Sequence, residues 1–307
     1  MYDTIILGNG IAGMSAAIYA KRANLNFKII GEDEFSVGQI ENAILVENYP
    51  GIKGITGYNL GNSIKEQIEE MEVTIEEKQI YGIEKVEGNL DYFPDHFIIK
   101  YTDNTQDLTK TVIYALGAKH RELSEICEIE GNVLYHHCAI CDGALYKNKN
   151  VAIIGGGNTS FTEALYLSHI ASTVTIITDK VIADSITAQK IYNTKNIRLF
   201  NHAKINKIFC KDNHNYINYT ILDGESIISE FDGIFAAIGT KPQSQYCPSE
   251  VEKSYFGYII GNEYGETNID GFYVAGDIRY KMLRQAITAA ADGANCANSV
   301  VEHLKHN

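Results

Sequence analysis

At 307 residues, with 45% apolar and 10% aromatic side chains, the chain is long enough for two domains of ordinary size and too apolar to be disordered. Its 26 basic and 39 acidic residues leave a net charge of -13, which argues against nucleic acid or anionic membrane as the main partner and means that any bound phosphate must be met by a local positive patch. No apolar run reaches the roughly 18 residues of a membrane helix, and Met1-Tyr2-Asp3 leads straight into a strand without a signal peptide's basic and apolar regions, so the expected compartment is the cytoplasm.

The first predicted element is the short apolar strand Thr4-Ile5-Ile6-Leu7. It runs into Gly8-Asn9-Gly10-Ile11-Ala12-Gly13 and then a helix-forming stretch over 14–20, which is G-x-G-x-x-G in the strand, turn, helix context that the motif requires. Gly8 permits the tight turn, Gly10 lets a pyrophosphate approach the backbone at the helix N-terminus, and Gly13 lets the helix pack on the strand. The next strand, 27–30, ends before Gly31-Glu32, and Glu32 lies near the place where an acidic side chain accepts a ribose hydroxyl.

Further along stands Cys138-Ala-Ile-Cys141-Asp142-Gly143. Two thiols three positions apart can close into a disulfide and reopen, and the neighbouring carboxylate of Asp142 can exchange a proton with the leaving thiolate. The other cysteines, Cys127, Cys210, Cys247 and Cys296, are too scattered for a secreted disulfide framework. No second CxxC or HxxxH follows, which argues against a zinc site. His136 and His137 directly precede Cys138; a protonated histidine there would lower the thiol pKa, yet both are read as solvated loop histidines and left out of the catalytic set.

The glycine-turn pattern then recurs. The apolar strand 151–154 leads into Gly155-Gly156-Gly157-Asn158-Thr159-Ser160, a helix over 161–170, and a strand over 174–177 followed by Thr178-Asp179. Asp179 follows Gly155 by the interval at which Glu32 follows Gly8, and Ser160, being small, still allows the close packing of a third glycine. Two dinucleotide folds in one α/β chain is the layout of a flavoprotein disulfide reductase, with one site for FAD and the other for a nicotinamide. Phe272-Tyr273-Val274-Ala275-Gly276-Asp277 then ends a strand in a carboxylate that could accept a ribityl hydroxyl, and Arg284-Gln285-Ala286 begins an alanine-rich helix reaching residue 297, its N-terminus suited to the negative charge of reduced flavin.

Taken in order, GNGIAG (8–13), GQI (38–40), VENYPG (46–51), ALGA (115–118), CAICDG (138–143), GGGNTSFTEALYL (155–167), AAIG (236–239), AGD (275–277) and RQA (284–286) resemble the low-molecular-weight, bacterial-type thioredoxin reductase family over essentially the whole chain. The resemblance implies two three-layer Rossmann-like domains, the second inserted into the first: an FAD domain over 1–117 and 245–307, and a nicotinamide-type domain carrying the CxxC over 118–244. It also implies a homodimer, and short joints about which the inserted domain rotates to present the nicotinamide and the dithiol alternately to the flavin. It carries FAD contacts onto Gly8, Gly10, Ala12, Gly13, Gln39, Asn48, Gly117, Gly276, Asp277, Arg284, Gln285 and Ala286, and nicotinamide contacts onto Gly155, Gly157, Asn158 and Thr159, to which the spacing of the second turn adds Asp179 as the candidate acceptor of an unphosphorylated ribose. In such enzymes the second cysteine, here Cys141, takes electrons from the flavin, the first, Cys138, attacks the disulfide of a thioredoxin-like protein, and Asp142 is the proton donor and acceptor.

The chain departs from that pattern after the second strand of the inserted domain. NADPH-using members carry a His-Arg-Arg run and a further arginine to grip the 2'-phosphate, whereas this chain has Thr178-Asp179-Lys180-Val181-Ile182-Ala183-Asp184. A carboxylate at 179 would repel a 2'-phosphate, so NADPH is disfavoured, NADH is favoured as donor, and ferredoxin is the alternative if no nicotinamide binds. Ile11 and Val37, where the family often has proline and glycine, are read as variation. A small-molecule dithiol oxidase and a non-catalytic flavin-bound redox sensor are further alternatives; a peroxiredoxin-reducing flavoprotein would need an added thioredoxin-like domain that the chain lacks.

Overall fold

Strands covered on both faces are apolar without interruption, and each such run above becomes one. The computed structural model describes residues 1–43, 46–88, 95–222 and 224–306. The chain opens with β1 (Tyr2–Leu7), α1 (Ile11–Arg22), β2 (Phe27–Gly31), α2 (Gly57–Glu70) and β3 (Ile75–Glu77), followed by β4 (Ile80–Val86), β5 (His96–Tyr101) and β6 (Gln106–Tyr114). After β7 (Ala118–His120) and β8 (Glu128–Glu130) come the single turn α3 (Ala139–Asp142), β9 (Asn150–Ile154), α4 (Asn158–Ser168), β10 (Thr173–Ile177), α5 (Ser185–Asn193) and β11 (Ile197–Phe200). Three further strands, β12 (Lys204–Lys211), β13 (His214–Thr220) and β14 (Ser226–Phe231), precede β15 (Gly233–Ala236), β16 (Thr240–Pro242), β17 (Phe272–Val274) and α6 (Ala286–His306).

The chain divides into two units, one made of Met1–Lys119 with Lys241–Asn307, the other of His120–Thr240. The first is built on a seven-stranded sheet in the order β3-β2-β1-β6-β5-β4, with β17 also paired to β6. Its β3, β2, β1, β6 and β17 are parallel, while β4 and β5 extend it antiparallel. Alternation along the strands sorts the side chains: Ile6, Ile29, Ile113 and Tyr273 pack with α1 and α6, whereas Ile5, Ile30, Val112 and Phe272 join Phe97 and Ile99 in a second cluster. Each fully buried isoleucine contributes about 1.5–3 kcal/mol of transfer free energy. The helices α1 and α6 meet nearly backbone to backbone, since a Cβ at Gly293 would fall 2.0 Å from the Ala12 carbonyl oxygen.

The second unit has its own layers. A parallel sheet in the order β11-β10-β9-β15 sends Val151, Ile153, Val174 and Ile176 against Phe161 and Leu167 of α4 and Ile191 of α5. The opposite face, with Ala152, Ile154 and Ile177, lies on Ile205, Ile208, Ile217 and Tyr219 of the sheet β14-β13-β12-β8. The two connecting segments, β7 and β16, pair as a two-stranded ribbon. Backbone bonds from Arg121 N–H to the Gly239 oxygen (3.0 Å) and from Gln243 N–H to the Gly117 oxygen (3.1 Å) extend it at either end.

Three helices differ from their sequence-derived bounds, the first of them α1, which starts at Ile11 rather than 14 and runs to Arg22. The α4 helix starts at Asn158 rather than 161, because the glycine turn passes directly into helical geometry after Gly157. The α6 helix continues to His306, well past 297, and places His303, Lys305 and His306 in its last turn, where cations suit the exposed carbonyls.

Candidate active site

Cys138 and Cys141 are joined as a disulfide across α3. Cys138 is the N-cap of that turn, its Sγ accepting the Cys141 N–H at 3.1 Å, and both cysteines are half-buried. Asp142, next in the chain, is 5% exposed. Its Oδ2 lies 3.0 Å from His136 Nδ1, and its Oδ1 is buried with no hydrogen-bond partner among the described residues. The other imidazole nitrogen, Nε2, lies 2.6 Å from the Tyr146 hydroxyl.

These positions overturn the reading of His136 and His137 as solvated loop histidines. His136 is 4% exposed because its backbone continues the parallel sheet beside β15: its N–H donates to the Ile234 oxygen and its carbonyl accepts from Ala236 N–H. The ring is thereby placed under Phe235, at 5.2 Å between centroids. His137 is half-buried, stacks on His120 at 4.5 Å, and has a sealed Nδ1 without a partner among the described residues. Burial depresses the basicity of both rings, bringing His120 down to about 4.

Glu163 of α4 is a site residue that the sequence reading passed over. Its Oε1 accepts the Ala139 N–H, between the two cysteines, at 3.3 Å, while Oε2 is sealed without a partner among the described residues. Burial pushes this carboxyl up to about 7, the Ala139 bond offsetting only part of the effect. An E in a helix after a glycine turn looks like a solvated charge, and only the packing of α3 on α4 reveals it.

The first glycine turn fits a dinucleotide pyrophosphate. No side chain caps the N-terminus of α1, so its first-turn N–H groups are open to an anion. A Cβ at Gly10 would have only Gly38 Cα, at 3.9 Å, within reach, whereas one at Gly13 would fall 1.8 Å from the Gly8 oxygen. Gly8 itself has a φ of 108°, open to glycine alone. Ala12 is buried beneath Gly276, Glu32 is exposed just past β2, and Gln39 is exposed at the start of a short 3-10 turn. Asn9, unremarked in the sequence, ties the loop beyond β2 to the turn by donating from Nδ2 to the oxygens of Asp33 (2.8 Å) and Ser36 (2.9 Å).

The remaining predicted flavin residues also lie in this unit. Asn48 Nδ2 donates to Gln285 Oε1 at 2.9 Å, Arg284 Nε donates to the Asp277 carbonyl at 3.2 Å, and Ala286 begins α6. Gly117 has a φ of 70° and open space around its Cβ direction. Asp277 has a buried Oδ1 with no partner among the described residues, and burial raises its pKa against the pull of Lys281 and Arg284. Such an orphaned acid fits a ribityl hydroxyl. Behind it, buried Asp292 of α6 accepts from Gly276 N–H (3.0 Å), Arg279 Nη2 (2.8 Å) and Lys281 Nζ (2.8 Å), fixing the Gly276-Asp277 turn.

In the second unit the turn Gly155-Gly156-Gly157 is likewise followed by a helix with no capping side chain, and Ser160 donates to the Gly157 oxygen at 2.7 Å. Asn158 and Thr159 are exposed in the first turn of α4. The loop after β10 folds back on this turn: Ile182 and Ala183 N–H donate to the Gly156 oxygen at 2.8 and 3.0 Å, and Asp184 N–H donates to Asn158 Oδ1 at 2.7 Å. Thr178 is buried, its hydroxyl donating to the Lys180 oxygen at 3.0 Å, so Asp179 is the first exposed side chain beyond the strand.

Comparison with known proteins gives this arrangement its context. The family described as pyridine nucleotide-disulphide oxidoreductase matches residues 2–293. The chain belongs to that family. It is 36% identical to the thioredoxin reductase of Mycoplasma genitalium, over 99% of this chain and 96% of that one, and 34% identical to that of Bacillus subtilis, over 99% and 95%. The crystal structure of the Streptococcus pyogenes thioredoxin reductase superposes with a TM-score of 0.86 at 30% identity, covering 100% of this chain and 99% of that one. The protein is accordingly a flavin-dependent oxidoreductase of the bacterial low-molecular-weight thioredoxin reductase type, with Rossmann-like dinucleotide folds. No described helix is long and apolar enough to cross a membrane.

Proposed function

We propose that the protein passes two electrons from NADH to the Cys138–Cys141 disulfide and from the resulting dithiol to a thioredoxin-like protein. The observation that carries the reading is the closed disulfide at α3 with the buried carboxyl group of Asp142 next to it in the chain. FAD, when bound, supplies the two-electron relay between nicotinamide and disulfide. Gly8, Gly10, Ala12 and Gly13 would receive its pyrophosphate end, Glu32 its ribose, and Asp277 its ribityl chain. Gln39, Asn48, Gly117, Gly276, Arg284, Gln285 and Ala286 would complete the cradle. Cys138 is assigned the attack on the acceptor, Cys141 the exchange with the flavin, and Asp142 the proton transfer that a leaving thiolate requires.

Gly155, Gly157, Asn158 and Thr159 would hold the nicotinamide dinucleotide. Asp179, exposed beside that turn, supports NADH over NADPH: a carboxylate accepts two ribose hydroxyls but repels a 2'-phosphate. The matched family's description supports a pyridine nucleotide ahead of ferredoxin as donor. Homodimeric assembly in the cytoplasm accompanies this reading. Anaerobic titration of the oxidised yellow holoenzyme is its test: NADH should bleach the flavin at lower concentration than NADPH, and oxidised thioredoxin should restore the colour. A flavin that neither nicotinamide bleaches rejects the proposal.

A further inference from the structure

The chain His136, Asp142, Tyr146 is more specific than a buried polar cluster, because its hydrogens can be placed. A neutral imidazole has one donor and one acceptor nitrogen. The Tyr146 hydroxyl is 2.6 Å from Nε2 and has no other hydrogen-bond partner among the described residues. Burial, with Asp142 and Asp232 nearby, raises the phenol's pKa and keeps its proton in place. Facing a carboxylate, the neutral tautomer that gives both contacts a donor has Tyr146 donating to Nε2 and the ring proton on Nδ1, with Nδ1–H donating to Asp142 Oδ2 at 3.0 Å. With Oδ2 occupied as an acceptor, any proton on the carboxyl group resides on Oδ1, the oxygen without a partner among the described residues.

We propose that His136 is a positioning residue for the dithiol chemistry: its Nδ1–H engages one oxygen of Asp142, so that the other presents the proton to a leaving thiolate. The inference rests on the disulfide-reductase reading above. In the step concerned, Cys138 gives up its thiol proton and attacks the acceptor disulfide, forming a mixed disulfide and releasing one acceptor sulfur, and Cys141 sulfur then attacks Cys138 Sγ, breaking the mixed disulfide and releasing the other. The acceptor's S–S bond breaks, the Cys138–Cys141 bond forms, and two electrons pass to the acceptor. The two thiol protons finish on its two sulfurs, one of them by way of Asp142.

The groups facing the pair are Tyr146 after α3, Glu163 of α4 against Ala139, Asp232 before β15, the two cysteines, and His137 with its 3.9 Å neighbour Glu122. Lys149 stands 5.7 Å over the Tyr146 ring. Asp232 and Lys149 bear on the phenol end of the chain. The imidazole lies at the Oδ2 end of Asp142.

The test uses anaerobically prereduced holoenzyme and bis(2-hydroxyethyl) disulfide, whose alkyl thiolate needs a proton as it leaves. Thiol release in a single turnover is followed against pH. In His136→Ala the carboxylate form of Asp142 loses a donor, and the alkaline limb should move upward by about one unit or more, the equivalent of one hydrogen bond to a charged group. In His136→Asn, whose amide can still donate to Oδ2, the limb should return close to that of the wild type. A merely structural role lowers rate or thermal stability in both variants without displacing the limb, and that result overturns the inference while leaving the reductase reading intact. A limb displaced equally in both variants overturns it too. A wild-type dithiol inert to the probe removes the reductase reading and this inference together.

Discussion

Glu163→Gln separates the charge of a buried carboxyl group from its shape. The wild-type group is raised from its ordinary 4.5 to about 7, with Oε1 on the Ala139 N–H and Oε2 sealed. A folded-state value above the unfolded one means that the stability is fully present below about 4.5 and is lost as the pH rises through about 7. The difference corresponds to about 3 kcal/mol of penalty carried by the ionised protein above neutrality. Glutamine keeps the acceptor for Ala139 and cannot ionise, so the variant should be near wild type at pH ~5 and gain up to about 3 kcal/mol over it at pH ~8.5. Urea unfolding of both holoproteins at fixed FAD concentration, followed by circular dichroism at the two pH values, measures this. The gap between the proteins must widen with pH. A gap of the same size at both values would mean that Glu163 ionises without penalty, and the burial argument would fail.

Other substitutions address other links. Cys138→Ser should abolish thioredoxin reduction while NADH still bleaches the flavin, and normal turnover would reject the assigned attack. Asp179→Arg should raise kcat/KM for NADPH relative to NADH by about tenfold or more, since it replaces a repelling charge with a phosphate fork; steady-state kinetics with both nucleotides decides it. Gly10→Ala adds a Cβ with no protein atom nearer than 3.9 Å, so the chain should fold but hold FAD about tenfold more weakly, read from flavin absorbance per chain during dialysis. Gly13→Ala, with its 1.8 Å clash on the Gly8 oxygen, should yield little folded holoprotein at all.

Much of the architecture is legible locally, because its determinants are local. Apart from Thr4 and Thr175 the runs 4–7, 151–154 and 174–177 are apolar on both faces, and a glycine turn directly after each of the first two specifies strand, turn and helix within one stretch of chain. His136 is the counterexample. Whether that ring is solvated depends on β15, far along the chain, whose edge it joins and whose Phe235 covers it. Glu163 and Asp292 escaped for the same reason: a lone acid on a helix becomes a site residue only through what packs opposite it. Thr178 shows a subtler limit. Nothing in its place at the strand end announces that its hydroxyl closes its own loop on the Lys180 oxygen.

That loop has an evolutionary consequence. Its backbone is clamped to Gly156, so closely that a Cβ there would sit 2.0 Å from the Lys180 oxygen, while the side chains of Asp179 and Lys180 project outward and take no part in the clamp. Selection can therefore rewrite positions 179 and 180 by single codon changes without refolding the frame that carries them. On the role proposed for Asp179, coenzyme choice is a trait detachable from the frame that presents it.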